Sequence, residues 1–425
     1  MQDKPFDVGK VVNIKEFIVE IVGLDEVSFY EKINISNKAI GYVTKINANN
    51  VIVAIIYKEK EIVIGDIAYQ TNEEFMGDFS IDSIGRITNI FGLDLLSNMH
   101  YKNSLKIHFE EDNIPIMDRT DVKRPLLTGI VGIDLIYPIG KGQRQLIIGD
   151  KKTGKTQICL DAIVNQKGKN MICIYVAIGK TKKEVKNIYY ELLKRNALEY
   201  TIIISAFNDD LAPVLVLTPY YALSVAKMLM LEGKDVLVVI DDLKRHADAY
   251  REISLISGKS PGRDAYPSDI FYLHSRLLEK GCQYKNGASI TILPIVETRG
   301  GDITDYISTN IISITDGQIV LSRKNFQKGE KPAINYGLSV SRLGGAVQTK
   351  TMKELGANVR RLLLNYLDTR EIYELANVDE MSEELKLKLF RGKSILNQLI
   401  QDKYTPIEED KIIKKFDFLK ENNNG

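Results

Sequence analysis

Gly149-Asp150-Lys151-Lys152-Thr153-Gly154-Lys155-Thr156 is the stretch that decides how this chain folds. It satisfies GxxxxGK[ST] at every position. An apolar run, Gln145–Ile148, precedes it and a helix-patterned stretch, Gln157–Asn165, follows. In that strand–loop–helix setting the glycines let backbone N–H groups curl around phosphates, and the helix N-terminus adds its positive dipole end. Lys155 is then expected to reach the β- and γ-phosphates, and the Thr156 hydroxyl to ligate Mg²⁺. A bare glycine turn would carry the same letters by chance; strand before and helix after argue against that.

Outward from the loop, short apolar runs recur at Met171–Ala177, Thr201–Ser205, Val236–Ile240 and Ser289–Ile295. Helical patterns at Lys182–Asn196 and Pro219–Leu231 lie between them. Strands buried on both faces and alternating with helices predict a parallel α/β sheet over residues 72–350. The run Val236–Ile240 ends in Asp241-Asp242. An acid there holds a metal-bound water across from Thr156, which is the role expected of Asp241; Asp242 reads as the cap of the next helix.

Two other patterns flank this region. Residues 1–71 read as short β segments: Val43–Ile46 and Val51–Ile56 about the turn Asn47-Ala48-Asn49-Asn50, then Ile62-Val63-Ile64 closed by Gly65-Asp66. They predict a small β-barrel. Residues 351–425 lose the strands, and Leu355, Val359, Leu362, Leu363 and Tyr366 recur at helical spacing, as do Leu385, Leu389, Ile395, Leu396 and Leu399. This is a helical domain with a polar, frayed tail from Asp410.

Bulk numbers narrow the class. A chain of 425 residues with 44% apolar content supports two or three folded domains. Lys and Arg number 57 against 56 Asp and Glu, a net charge of +1, which argues against a dedicated nucleic-acid binder. Cys159, Cys173 and Cys282 lie in apolar stretches without CxxC spacing, as buried free thiols of a reducing compartment do. No signal peptide and no run of about 18 apolar residues is visible, so a cytoplasmic location, peripheral to a membrane through partners, is expected.

Over a long stretch the residues resemble the alpha subunit of the F-type ATP synthase. The likeness rests on Thr128-Gly129-Ile130, on Pro138–Arg144 (PIGKGQR), and on GDKKTGKT, where the family reads GDRQTGKT. It continues through Ile174–Gly179 (IYVAIG), Pro261–Pro267 (PGRDAYP), Phe271–Glu279 (FYLHSRLLE), Ser313–Ile319 (SITDGQI) and Gly337–Arg342 (GLSVSR). It is dense from Thr128 to Lys350 and fades after Tyr404. The resemblance implies a β-barrel crown, a P-loop (RecA-like) nucleotide-binding domain and a helical domain. It also implies ATP or ADP with Mg²⁺, and a ring in which alphas alternate with catalytic beta-type subunits around a central gamma-type stalk.

Residue roles follow from the same resemblance. The catalytic sibling carries Glu after the glycine of the strand beside the phosphate loop, and alphas carry Gln. Here Lys180 follows Gly179, and an ammonium cannot take a proton from water, so a non-catalytic site is expected. In the family the arginine of SVSR reaches into the neighbouring beta site, which makes Arg342 the expected arginine finger. Lys331 beside Pro332 stands where alphas have Arg before Pro in the adenine-facing segment. Gln401 and Lys403 stand where they have two glutamines beside adenine. Lys152, Lys180 and Lys403 each replace Gln: either drift in a lysine-rich chain, or a pocket that holds phosphates by lysines instead of by metal-bound water.

Family alphas also continue for several helices past Tyr404-Thr405-Pro406, where this chain has about 20 residues. That leaves a second reading, the ring subunit of a motor serving motility or surface machinery without protons. A third is a self-sufficient homohexameric ATPase of secretion or helicase type. Lys180 and the neutral charge count against the third, and the β region lacks the aromatic-and-basic face of a single-strand binder.

Overall fold

The computed structural model describes residues 8–24, 26–373 and 383–419. Alternation of buried and more exposed residues, clearest in β1 and β3, makes the N-terminal part a sheet that closes on itself. β1 (Val8–Lys15), β2 (Ile18–Val22), β3 (Glu31–Ile35), β4 (Ala39–Ile46), β5 (Val51–Lys58) and β6 (Ile67–Glu74) form a closed antiparallel barrel in the order β1-β2-β5-β4-β3-β6. Val11, Val19, Ile21, Ile33, Ile35 and Val53 fill its interior at 0% exposure. The Asn47–Asn50 turn closes the β4–β5 hairpin by a backbone bond of 2.9 Å and an amide–amide bond of 2.6 Å. The segment Ile62-Val63-Ile64, expected to be a strand, is not one. Asp66 accepts from the Val63 N–H and bends it into a turn, and the strand starts at Ile67, running to Glu74 across the expected change at residue 72.

The middle of the chain supplies a parallel sheet. β7 (Leu146–Asp150), β8 (Met171–Lys180), β9 (Thr201–Phe207), β10 (Asp235–Asp241), β11 (Ser289–Thr298) and β12 (Gly317–Leu321) lie in the order β9-β8-β10-β11-β7-β12, each pair parallel. Their near-continuous burial is that of strands covered on both faces. Helices α1 (Lys155–Val164), α2 (Lys182–Leu193), α3 (Ala212–Leu231), α4 (Leu243–Ile256) and α5 (Ile270–Leu278) connect or flank them.

α3 corrects two expectations. It begins at Ala212, seven residues before Pro219, and keeps that proline inside the helix. Burial on nearly every face outweighs the lost N–H bond. At 20 residues it is also long and apolar enough to cross a membrane, although most of it is buried among the strands.

The C-terminal part is helical: α6 (Lys350–Tyr373), α7 (Glu383–Leu399) and α8 (Glu409–Lys415). Val359, Leu363, Ile395 and Leu399 are buried at the expected helical spacing. α6 and α7 cross where Gly392 meets Tyr366: a Cβ on the glycine would fall 2.2 Å from that of the tyrosine. The tail is not frayed through residue 419. Ile412, Phe416 and Leu419 pack at 1%, 0% and 8% exposure, because the polar letters around them hide a short apolar face.

Candidate nucleotide site

The phosphate loop joins β7 to α1, with Gly154 at φ 103°, a conformation glycine adopts without steric penalty. Thr153 Oγ1 donates to the Asp150 carbonyl at 2.7 Å and braces the turn. Asp150 itself accepts from Thr298 Oγ1 and from the Gly301 N–H, both at 2.7 Å, which ties the loop to the end of β11. Lys155 is buried and donates to the Gly149 and Asp150 carbonyls at 2.8 and 2.6 Å, with Glu297 4.0 Å away. Burial pulls its pKa below the usual lysine range. Lys151 and Lys152 are exposed at the mouth, Lys152 at φ 65°.

Opposite the loop, Asp241 closes β10 and is the hub of the site. Its Oδ2 accepts from Thr156 Oγ1 at 2.7 Å and from the Tyr175 hydroxyl at 2.6 Å. Its Oδ1 lies 3.0 Å from the Lys180 ammonium, with side-chain exposures of only 14% for the lysine and 3% for the aspartate. The pairing has a backbone cause. Along β8, Cys173, Tyr175 and Ala177 pack into one apolar cluster, and Ile174, Val176 and Ile178 into the cluster on the opposite face. Strict alternation would send Lys180 with the second set. The register slips between Ile178 and Lys180, and Gly179 takes φ 63°, so the lysine reaches the face on which Tyr175 and Asp241 meet.

Two acids near the hub have other work. Asp242 caps α4, accepting from the Arg245 N–H at 2.8 Å; burial and the neighbouring Asp241 push its pKa up to about 6. Glu184 forms a capping box with Thr181, its Oε2 accepting from that residue's N–H and hydroxyl at 2.8 Å each. It faces a helix end and presents no free general base.

A cavity of about 780 Å³ extends from the loop to a far wall made by Phe326, Lys331, Pro332 and the segment 400–403. The Lys331 ammonium stands 4.6 Å over the Phe326 ring. Gln401 is on this wall, but its side chain is spent on backbone: it accepts from Val131 at 3.0 Å and donates to Gly129 and Thr405, both at 2.7 Å. Lys403 lies 5.8 Å over the Tyr404 ring, on which the Arg195 guanidinium also stacks at 3.4 Å. Loop, Lys180, Asp241, Lys331, Pro332, Gln401 and Lys403 therefore meet around one space. Glu297 lines the same space, and Tyr175 stands buried behind it on Asp241; no motif marks either residue. A single phenol in an otherwise aliphatic buried strand was the available signal for Tyr175.

Arg342 is elsewhere. It follows a two-residue edge strand, Val340–Ser341, antiparallel to β12 at its start, with its N–H on the Asp316 carbonyl at 2.9 Å. Asp316 is gripped by Arg144 through contacts of 2.9 and 2.6 Å. β7 and β12 run parallel, and the phosphate loop leaves the far end, so roughly 16 Å of strand separates Arg342 from its own loop. The arginine is exposed, and its guanidinium makes no ion pair among the described residues.

A phosphate loop on a parallel sheet, faced by an acid-ended strand one place removed from the loop's own, defines a P-loop nucleotide-binding protein. The ATP synthase alpha/beta family, nucleotide-binding domain, matches residues 129–341. Similar proteins include the ATP synthase subunit alpha of Mesomycoplasma hyopneumoniae (strain 7448), 41% identical over 98% of this chain and 82% of the relative. Others are a sodium-ion-specific ATP synthase subunit alpha from Acetobacterium woodii, 41% identical over 96% and 81%, and that of Clostridium botulinum (strain Eklund 17B / Type B), 41% over 96% and 82%. The chain belongs to the ATP synthase alpha/beta family, on its alpha-subunit branch.

Proposed function

We propose that this chain is the non-hydrolysing, nucleotide-binding alpha-type subunit of a rotary ATPase. In this reading it binds ATP or ADP through Gly149–Thr156 and lends Arg342 to a neighbouring catalytic beta-type subunit. The observation that carries it is the Lys180 ammonium 3.0 Å from Asp241, on the strand end where hydrolysis needs an acid to polarise water. The nearest carboxylate to Lys155 is Glu297 at 4.0 Å, and it serves as that lysine's counter-charge. The proposed units are a barrel ending with β6 at Glu74, a nucleotide-binding domain from there to Thr349, and a helical domain from Lys350, where α6 begins. The proposed partners are beta-type subunits and a gamma-type stalk, with the assembly peripheral to a membrane.

Magnesium is expected from the resemblance at Thr156 and Asp241, and when bound to a nucleotide it neutralises phosphate charge. The residues present fit it poorly. Asp241 already receives two hydroxyl donors and an ammonium, which leaves its carboxylate little charge to hold a metal-bound water. The purified chain is expected to bind ATP, measured by equilibrium titration, and to release negligible phosphate in a coupled hydrolysis assay. Robust hydrolysis without a partner subunit would refute the non-catalytic reading.

A further inference from the structure

We propose that Lys180 is a built-in counter-ion standing in for the divalent cation, so that this site takes a nucleoside di- or triphosphate free of metal. The proposal rests on the nucleotide-binding reading above and deepens it. The sequence offers Lys152, Lys180 and Lys403 as replacements of neutral amides. The geometry singles out one of them. Lys152 is exposed at the mouth of the loop, and Lys403 sits over Tyr404 on the opposite wall. Only Lys180 reaches the carboxylate expected to serve the metal, at 3.0 Å with 14% of its side chain exposed.

The electrostatic consequence is direct. A dication is drawn to such a site by the negative charge of Asp241, and an ammonium in contact with that carboxylate cancels it. A cation held at Thr156 and the ammonium of Lys180 would share a single carboxylate, since Thr156 Oγ1 is bonded to Asp241 Oδ2 at 2.7 Å. Their mutual repulsion is twice that of two unit charges at the same distance. The bulge at Gly179 aims Lys180 inward, onto the face that carries Asp241. The other acid at the strand end, Asp242, is held as the cap of α4 by its 2.8 Å bond to the Arg245 N–H. Lys155 beside the loop carbonyls supplies positive charge to a polyphosphate without metal, and Lys180 removes the repulsion that an unpaired Asp241 carboxylate would exert on it.

The test is a titration of the full chain with ATP in excess MgCl₂ and in EDTA, for the parent and for Lys180→Gln. In addition, Mn²⁺ electron paramagnetic resonance with ADP reports directly whether a metal is immobilised. For the parent, affinities with and without metal should agree within about threefold, and no Mn²⁺ should be immobilised. Lys180→Gln should bind metal-free ATP about tenfold more weakly, recover with MgCl₂ and immobilise one Mn²⁺. A parent that loses tenfold or more on chelation, or that immobilises Mn²⁺, overturns the proposal whether or not the variant folds. Equal insensitivity of parent and variant overturns the assignment to Lys180. Failure of the parent to bind ATP under either condition refutes the nucleotide reading itself and is distinguishable from all of these.

Discussion

Arg342 leaves the edge of the sheet with its backbone fixed and its guanidinium without an ion pair among the described residues. The fixing is indirect: Arg144 clamps Asp316 with a fork of two bonds, and the Asp316 carbonyl takes the Arg342 N–H. A side chain anchored in this way, on the end of the sheet remote from its own phosphate loop, is placed to act on a neighbour. Arg342→Ala is therefore expected to leave ATP affinity of the isolated chain unchanged and to lower turnover of the reconstituted complex by about 10³-fold or more. Arg342→Lys should recover little, since an ammonium lacks the planar fork that meets phosphate oxygens in pairs. Steady-state hydrolysis of the complex, set beside nucleotide titration of the subunit, checks both. Near-normal turnover of the alanine variant would make Arg342 an ordinary interface residue.

At the level of elements, β8 is where regular structure gives way to the site. Its first seven residues alternate between the two apolar clusters, and the slip at Gly179 then turns Lys180 onto Asp241. Gly179→Ala must hold a Cβ at φ 63° and against Arg245 Cδ, so it should cost about 1–2 kcal/mol in urea denaturation. It should also weaken ATP binding, because Lys180 loses its direction. An unchanged midpoint and unchanged affinity would mean that the bulge is incidental. This element also marks the limit of sequence reading. The apolar run Met171–Ala177, the loop Gly149–Thr156 and the acid at the end of β10 are local patterns, and each was legible as written. The face Lys180 occupies depends on one backbone torsion, which no periodicity reports. The same holds for Ile62–Ile64, where a carboxylate bond from Asp66 overrides β-favouring letters, and for Pro219, where tertiary burial carries a helix through a breaker. The resemblance sets Gln401 beside adenine, and in the fold it lines the cavity wall opposite the phosphate loop. Its engagement with Gly129, Val131 and Thr405 is a long-range matter that only the folded chain discloses.

Barrel and sheet share one continuous apolar cluster, bridged by aromatic rings: Tyr42 to Phe75 at 6.0 Å, Phe75 to Phe109 at 5.0 Å and Phe109 to Tyr221 at 6.2 Å. A proton taken up deep in that cluster should therefore be felt in the unfolding of the whole body. His246 on α4 and His274 on α5 are such sites. His246 Nδ1 lies 3.3 Å from His274 Nε2, its Nε2 lies 3.2 Å from the Val216 carbonyl of α3, and the Tyr220 ring stands 6.2 Å away. Burial pushes His246 down to about 4, and burial together with His246 pushes His274 well below the ordinary value of 6.5. Both folded pKa values are depressed, so the unfolded chain binds protons first. Stability is fully present above about 6.5 and is lost as pH falls toward the folded values, by at most about 1.4 kcal/mol per pH unit for each histidine. Asp134, Asp161 and Asp242 work in the opposite direction. Burial raises each to about 6, so the folded chain binds their protons first and gains stability as pH falls below that value. The histidines thus act alone only between about 7.5 and 6, and below that the acids mask them. The clean measurement is a comparison of slopes: urea denaturation of parent and His274→Phe at pH 7.5, 6.5 and 5.5. The variant removes one titrating group while keeping a buried ring, and its loss of stability with falling pH should be shallower by up to one proton's worth. An identical slope in the two proteins would mean that His274 takes up its proton without unfolding the cluster around it.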